Sequence, residues 1–279
     1  MADQMIFKRY EIKYMLSQEQ YEAVIHKMSS YMRADIHGRS TNLSLYFDTP
    51  DFLLIRRSLD KPLYKEKLRI RSYGLAESDT TVFIELKKKF KGVVYKRRIS
   101  MTEEDAMNYL LFDDKVLHNQ IEAEIDYTKD RYQNLVPRVL LSYDREAYYA
   151  IDDHEFRVTF DQNILWRDQD VNLTSYIGGE PLLKPGQVLM EVKAGGAIPL
   201  WFVKILTEEK LYKTSFSKYG MAYRTILVKA LQEDNIHAYN RIPGDLRFRN
   251  YNDNFRSKIY DGSMRVPADR RVSGSDVLV

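Results

Sequence analysis

The sequence predicts an α+β fold, a mostly antiparallel sheet with helices inserted between its hairpins. Three observations lead there. Eight segments alternate or are rich in β-branched and aromatic residues, as strands are. The segments between them read as helices. The stretch "KKFKGVVYK" around Gly92 turns one strand directly into the next.

In chain order, Phe7–Tyr14 is the first expected strand. "SQEQYEAVIHKMSSYM" follows as a helix opened by Ser17, with Gln20 three residues on as a cap partner. Asn42–Thr49 is the second strand and "DFLLIRRSLD" a short helix. Then come "KLRIRSYG", Thr81–Lys89 and Val93–Ser100, three strands in close succession. "TEEDAMNYLLF" reads as a helix, and Glu122, Glu124 and Asp126 of "IEAEID" as an acidic helix start. Arg138–Ala150, Glu155–Gln162 and Val188–Ala194 complete the strands, with "IPLWFVKILTEEKLY" and "KYGMAYRTILVKALQE" as the last helices. Residues 1–239 are expected to form one domain, and the polar residues 240–279 a loosely held tail.

Composition narrows the function classes. The 21 tyrosines suit broad, half-buried sheets. With 43 Lys+Arg against 40 Asp+Glu, the net charge of +3 gives no bulk attraction to nucleic acid or membrane, so only local clustering can matter. The chain has no cysteine, which removes disulfides, thiolate nucleophiles and Cys-based zinc sites. Its start lacks the apolar segment of a signal peptide, and no apolar run approaches a membrane span. A soluble, cytoplasmic protein is the expectation. "KAGGAIPLW" lacks the Gly-Lys-Ser/Thr ending of a P-loop, and the five histidines have no metal-ligand spacing. Trp166 and Trp201 read as packing residues.

The charges on the strands are one-sided. Successive strand residues point to opposite faces. Lys67, Arg69 and Arg71 therefore share one face of their strand, as do Glu11 with Lys13, Glu85 with Lys87, Lys96 with Arg98, and Glu191 with Lys193. Arg145 sits mid-strand, and Arg157 shares parity with Thr159 and Asp161. Like charges side by side repel unless an anion is present. A wet outer face and an inward polyanion receptor are both compatible with this periodicity. In the inward case, Arg forks and Lys point charges match phosphate oxygens, and Glu11, Glu85 and Glu191 are candidate oxygen ligands for Mg²⁺ or Mn²⁺.

The motifs "RYEIKY", "KLRIR", "FIELKKK", "YKRR", "YDREAY", "RVTFD", "MEVK" and "SFSKY", in that order from about Phe7 to Leu231, resemble the VTC domain. This is the polyphosphate polymerase domain of the triphosphate tunnel metalloenzymes. The resemblance implies an eight-stranded antiparallel barrel whose basic residues point inward. It implies phosphate-clamping roles for Lys13, Arg69, Arg71, Lys87, Lys96, Arg145 and Arg157, with Arg98 and Lys193 on the same faces. Glu191 matches the metal-holding glutamate, and Ser217 with Lys218 a phosphate-binding pair at the tunnel mouth. Arg9 stands where many tunnel enzymes begin Glu-x-Glu-x-Lys, which turns the resemblance toward the polymerase branch. Ser215 replaces a lysine that polymerase relatives can carry two residues before the serine.

The expected activity is metal-dependent transfer of the ATP γ-phosphoryl group to a growing polyphosphate chain, with Mn²⁺ or Mg²⁺ as cofactor. A phosphate-oxygen nucleophile is already ionised and needs no general base, so positioning and charge neutralisation suffice. Hydrolysis of triphosphate in the same tunnel is the alternative enzyme, and a non-catalytic polyanion-binding module, perched in an envelope-associated assembly with a membrane-associated partner, the alternative class.

Overall fold

The computed structural model describes residues 10–91, 93–112 and 119–241. Among the described residues, ten strands form a single sheet and six helices are present. The strands are β1 (Tyr10–Ser17), β2 (Met32–Asp48), β3 (Tyr64–Tyr73), β4 (Thr81–Phe90), β5 (Val93–Thr102), β6 (Val136–Ala150), β7 (Arg157–Arg167), β8 (Glu180–Pro181), β9 (Gln187–Ala194) and β10 (Lys213–Thr214). The helices are α1 (Gln18–Met28), α2 (Leu53–Leu59), α3 (Glu103–Leu111), α4 (Gln120–Tyr132), α5 (Leu200–Glu208) and α6 (Lys218–Arg241). The chain divides into two compact units, Met1–Ile226 and Leu227–Val279. The tail expected from Asn240 lies, past Arg241, outside the described residues.

The α+β expectation holds, and every expected strand is present, but the closed eight-stranded barrel is not. The strand order is β10-β1-β9-β7-β6-β2-β3-β4-β5, with β8 paired to β7, and no backbone pairing joins β5 to β10 or β1 among the described residues. The two extra strands, β8 and β10, are two residues long, too short to leave a periodic trace. After β10 the chain turns into α6 instead of extending along the β5 edge, which leaves that edge free. The sheet nonetheless curls strongly. Side chains of β1 and β4, six places apart in the order, meet where Lys87 Nζ approaches Glu11 Oε2 at 3.6 Å.

Helices decide which face is inside. Leu43, Leu45, Phe47, Leu68, Ile70, Ile84 and Leu86, all but excluded from solvent, pack with Leu54 of α2, Ala106, Tyr109 and Leu110 of α3 and Ile125 of α4. Leu16, Val158, Phe160, Met190 and Val192 pack with Val24 and Met28 of α1 and Phe202 and Ile205 of α5. Each such side chain contributes roughly 2 kcal/mol, so the apolar parity is fixed toward the helices. The opposite parity, which carries the cations, is the concave face. Ser17 caps α1 as expected, exchanging hydrogen bonds with Gln20 at 3.2 and 3.0 Å.

A third cluster closes part of the concave face. Tyr46, Val139, Leu141 and Trp166 from the sheet pack against Ile55 of α2 and Tyr219, Ala222 and Tyr223 of α6. Asp48, fully buried, pins both helices. It accepts from the Leu54 and Ile55 backbone N–H groups at 2.8 and 3.0 Å, capping α2, and from Tyr219 Oη at 2.8 Å. Replacing Asp48 by Ala removes all of these acceptors at once. We expect Asp48→Ala to lower unfolding free energy by about 2–3 kcal/mol in urea titration. A loss no larger than about 0.5 kcal/mol would mean that the two helices are held elsewhere.

Candidate phosphate-binding site

Cross-strand register builds the first part of the site. Tyr46, Arg69, Glu85 and Arg98 lie directly opposite one another across β2, β3, β4 and β5. Glu85 is 1% exposed and collects their charges. Its Oε2 accepts from Arg69 Nε and Nη2 at 2.8 and 2.6 Å, and its Oε1 from Arg98 Nε at 2.8 Å. Lys96 Nζ reaches Oε1 at 2.7 Å. Burial pushes the Glu85 carboxyl up, but Arg69, Arg71 and Lys96 outweigh it and hold the group well below the usual carboxylate range. Two tyrosines fix the guanidiniums from the other side. Arg69 Nη1 donates to Tyr46 Oη at 2.8 Å, and Arg71 Nη2 to Tyr143 Oη at 2.9 Å. Arg71 Nε is buried and has no hydrogen-bond partner.

The second part sits on β1, β6, β7, β9 and the start of α6. Arg145 Nε and Nη2 grip the two oxygens of Asp161 at 2.5 and 2.7 Å, and Nη2 also reaches Glu191 Oε2 at 3.1 Å. Lys218 Nζ bridges Asp161 and Glu191. Lys13 Nζ bridges Glu191 and Glu11 at 3.0 and 3.3 Å. Burial pushes Asp161 and Glu191 up, but Lys218 and Arg145, joined at Glu191 by Lys13, outweigh it and hold both below their ordinary values.

Ser217 joins the two parts. Its Oγ accepts from the Gly220 backbone N–H at 3.2 Å, capping α6, and from Lys67 Nζ at 3.1 Å. The α6 N-terminus thus adds its positive end to the same face.

The sequence-predicted residues divide as follows. Glu11, Lys13, Arg69, Arg71, Glu85, Lys87, Lys96, Arg98, Arg145, Glu191, Ser217 and Lys218 come together in this interlinked network. Lys193 lies among them opposite Glu11, without a direct ion pair among the described residues, and burial pushes its ammonium down. Arg157 does not join the network. It is exposed at the start of β7, where its Nε donates to the His154 carbonyl at 3.2 Å. Asp161, Tyr46 and Tyr143 are additions to the expected set; Asp161 shared parity with Arg157 and Tyr143 with Arg145, whereas the strand of Tyr46 carried no candidate residue to point to it.

With Lys67 included, ten cations (Lys13, Lys67, Arg69, Arg71, Lys87, Lys96, Arg98, Arg145, Lys193 and Lys218) face four carboxylates (Glu11, Glu85, Asp161 and Glu191). The excess of six exceeds the +3 of the whole chain, so the positive charge is concentrated here. Among the described residues no three His, Asp or Glu side chains converge as a ready metal cage. Carboxylates do meet in pairs, Glu11 with Glu191 around Lys13 and Asp161 with Glu191 around Lys218. Such pairs of hard donors fit Mg²⁺ or Mn²⁺, which commonly take one or two carboxylates and complete their shell with water and substrate phosphate. Glu85 is already committed to cations through both oxygens.

The VTC domain family matches residues 8–227. The chain belongs to that family. No curated protein matches it in sequence. Among solved structures, a candidate adenylate cyclase from Vibrio parahaemolyticus aligns at TM-score 0.44 and 10% identity, covering 77% of this chain and 97% of its own. The PH1819 protein of Pyrococcus horikoshii OT3 aligns at 0.38 and 13%, covering 77% and 99%. The Schizosaccharomyces pombe Mediator head module aligns at 0.36 and 12%, covering 72% and 90%. These are distant likenesses, and membership rests on the domain match. Among the described residues no helix is long and apolar enough to cross a membrane.

Two predictions follow from the network. Glu85→Gln leaves Arg69, Arg98 and Lys96 facing one another without their shared counter-charge. It should cost about 3 kcal/mol of stability, and tripolyphosphate should restore a larger share of thermal stability in the variant than in the unaltered chain. Equal ligand-induced shifts would show that Glu85 does not hold these cations apart. The second concerns protons. Burial pushes Lys67 down to about 8, and although burial pushes the Tyr46 phenol up, Arg69, Lys67 and Arg71 bring it down to about 8. A bound polyanion favours the ammonium and disfavours the phenolate, raising both values, so binding takes protons up. Affinity should be flat below about pH 7 and fall as pH rises through 8. Titration calorimetry at pH 8 in buffers of different ionisation enthalpy should register that uptake; zero uptake would contradict the placement of Lys67 and Tyr46.

Proposed function

We propose that the chain is a metal-dependent polyphosphate polymerase, transferring the γ-phosphoryl group of ATP to the end of a polyphosphate chain on its concave face. The observation that carries this reading is the excess of fixed cations there, with the buried Arg71 Nε making no hydrogen bond among the described residues and only a 3.9 Å approach to Glu85 Oε2. Carboxylates hold Arg69, Arg98 and Arg145 in set directions, so their remaining donors are aimed before any anion arrives. Preorganised donors are the main requirement for phosphoryl transfer, because charge spreads over the transferring oxygens.

The acceptor is a phosphate oxygen that is ionised at neutral pH, so the site needs no general base. The histidines whose side chains are described, His26 and His154, are exposed. Arg69 and Arg71, fixed by Tyr46 and Tyr143, bind the terminal phosphates of the nucleotide. Arg145 and Lys218, with Ser217 at the α6 N-terminus, orient the second phosphate chain. Glu191, with Glu11 or Asp161, would hold Mn²⁺ or Mg²⁺, which supplies neutralisation of phosphate oxygens when bound. Domain membership supports triphosphate chemistry, and a phosphate-oxygen acceptor, already ionised, makes no demand on the network for a base.

Purified protein incubated with ATP and Mn²⁺ should yield long-chain polyphosphate and ADP. Free phosphate and ADP without long chains would assign hydrolysis instead. Tight polyphosphate binding without turnover under Mn²⁺ or Mg²⁺ would overturn catalysis altogether. Arg71→Ala should lower kcat by about 10²-fold or more while the far-ultraviolet spectrum is retained. Full activity in that variant would place the reaction elsewhere.

A further inference from the structure

The concave parity of β3 and β4 differs in chemistry from one end to the other. On β3 it runs Tyr73, Arg71, Arg69, Lys67, Lys65, and on β4 Phe83, Glu85, Lys87, Lys89. Aromatic rings therefore stand where the two strands join, next to the arginines, and lysines stand at the opposite end. Register sets Phe83 directly opposite Arg71, and Tyr73 opposite Asn42 of β2. Among the described residues neither ring belongs to the apolar clusters of the core. Tyr73 is 51% exposed, a large ring left in water at the end of a charged face.

That ring is nonetheless held in one place. Tyr73 and Phe83 meet edge to face, with centroids 5.8 Å apart. The Arg98 guanidinium lies 4.3 Å from the Phe83 centroid, and its Nη2 donates to Tyr73 Oη at 3.2 Å. Glu85 fixes the same guanidinium through Nε at 2.8 Å. The Gly74 N–H donates to the Thr41 carbonyl and Ser72 Oγ to the Gly74 carbonyl, both at 2.8 Å, so the backbone beside Tyr73 is tied down as well. An exposed side chain ordinarily changes rotamer within nanoseconds. Here the hydroxyl and one edge of the ring are engaged, and the rest of its surface stays open.

We propose that Tyr73, backed by Phe83 and Arg98, is the stacking platform for the nucleoside of a nucleoside triphosphate, and that it takes adenine and guanine alike. The inference rests on the concave face being a phosphate site, as argued above, and adds which end of that face the nucleoside occupies. A nucleoside triphosphate has a flat, uncharged base at one end and its negative charge at the other. β3 presents the matching order, a ring and then guanidiniums. From Arg69 to Tyr73 the strand rises about 13 Å, which leaves room for the nucleoside beyond phosphates held on Arg69 and Arg71. Aromatic rings and Arg planes take up bases by stacking, and stacking engages the π-face that every base has. Discrimination would need polar groups aimed at the base edge. Asn42, opposite Tyr73, is buried, and its Nδ2 donates to Ser40 Oγ at 3.3 Å.

The test is titration calorimetry with Mg²⁺ at fixed ionic strength, using the β,γ-imido analogues of ATP and GTP and, as the baseless control, tripolyphosphate. Tyr73→Leu should weaken both nucleotide analogues about fivefold or more, the loss of one stacked base. Its affinity for tripolyphosphate should stay within about twofold, because the substitution is at an exposed position. Tyr73→Phe keeps the ring and removes only the hydroxyl, and should restore nucleotide affinity to within about twofold of the unaltered chain. Unchanged nucleotide affinity in Tyr73→Leu, or a loss confined to one base, would overturn the platform. So would an equal loss for tripolyphosphate, or a loss in Tyr73→Phe as large as in Tyr73→Leu, since either would mean that Tyr73 acts only through Arg98. Failure of the unaltered chain to bind tripolyphosphate would instead overturn the phosphate-site reading beneath it.

Discussion

The Glu85 carboxylate, 1% exposed, holds Arg69, Arg98 and Lys96 within hydrogen-bonding distance at once, and the rest of the site is arranged around that constraint. Three cations on adjacent strands would otherwise splay away from one another. With Glu85 between them they are held together on the concave face. Asp161 and Glu191 do the same for Arg145, Lys218 and Lys13 on the same face, in the part of the sheet formed by β1, β6, β7 and β9. Buried ion pairs contribute little net stability because desolvation offsets attraction. Here they act as positioning devices, and the cores packed beneath the helices supply the stability.

The open sheet adds a second constraint. Among the described residues no strand pairing seals the two edges, and the curl is maintained by side chains and by the start of α6. Asp48 links α2 to Tyr219, Tyr219 stacks on Tyr46 at 4.5 Å between centroids, and Tyr46 accepts from Arg69. A continuous line of contacts therefore runs from a helix cap to the Arg69 guanidinium on the concave face. The Lys87–Glu11 contact spans the gap between the half-sheets directly.

Much of the fold was legible because its strands are amphipathic in a strict period of two. "KLRIR" could be nothing but a strand with Arg69 and Arg71 on one side and Leu68 and Ile70 on the other. Which side faced water was not legible, since periodicity carries no information on what covers a face; the helices that bury Leu68 and Ile70 settle it. Closure was misjudged for a related reason. Edge pairing depends on register and on where the chain turns, and two-residue strands leave no pattern. In the site, the cations were legible as residue types. The role of Glu85 as a shared counter-ion was not, because it arises from direct opposition to Arg69 and Arg98 across two interstrand ladders. Arg157 matched its motif yet lies exposed at a strand end, since parity fixes a side chain's face but not its distance from the others.

The central claim is that buried carboxylates hold the concave cations ready for a phosphate chain. A crystal structure of the protein with tripolyphosphate addresses it most directly. The account predicts phosphate oxygens within hydrogen-bond distance of Arg71 Nε and of the free donors of Arg69 and Arg145, with Glu85 still paired to Arg98. Tripolyphosphate bound on the helix-covered side, or an occupied concave face in which Glu85 has swung away from both arginines, would contradict it.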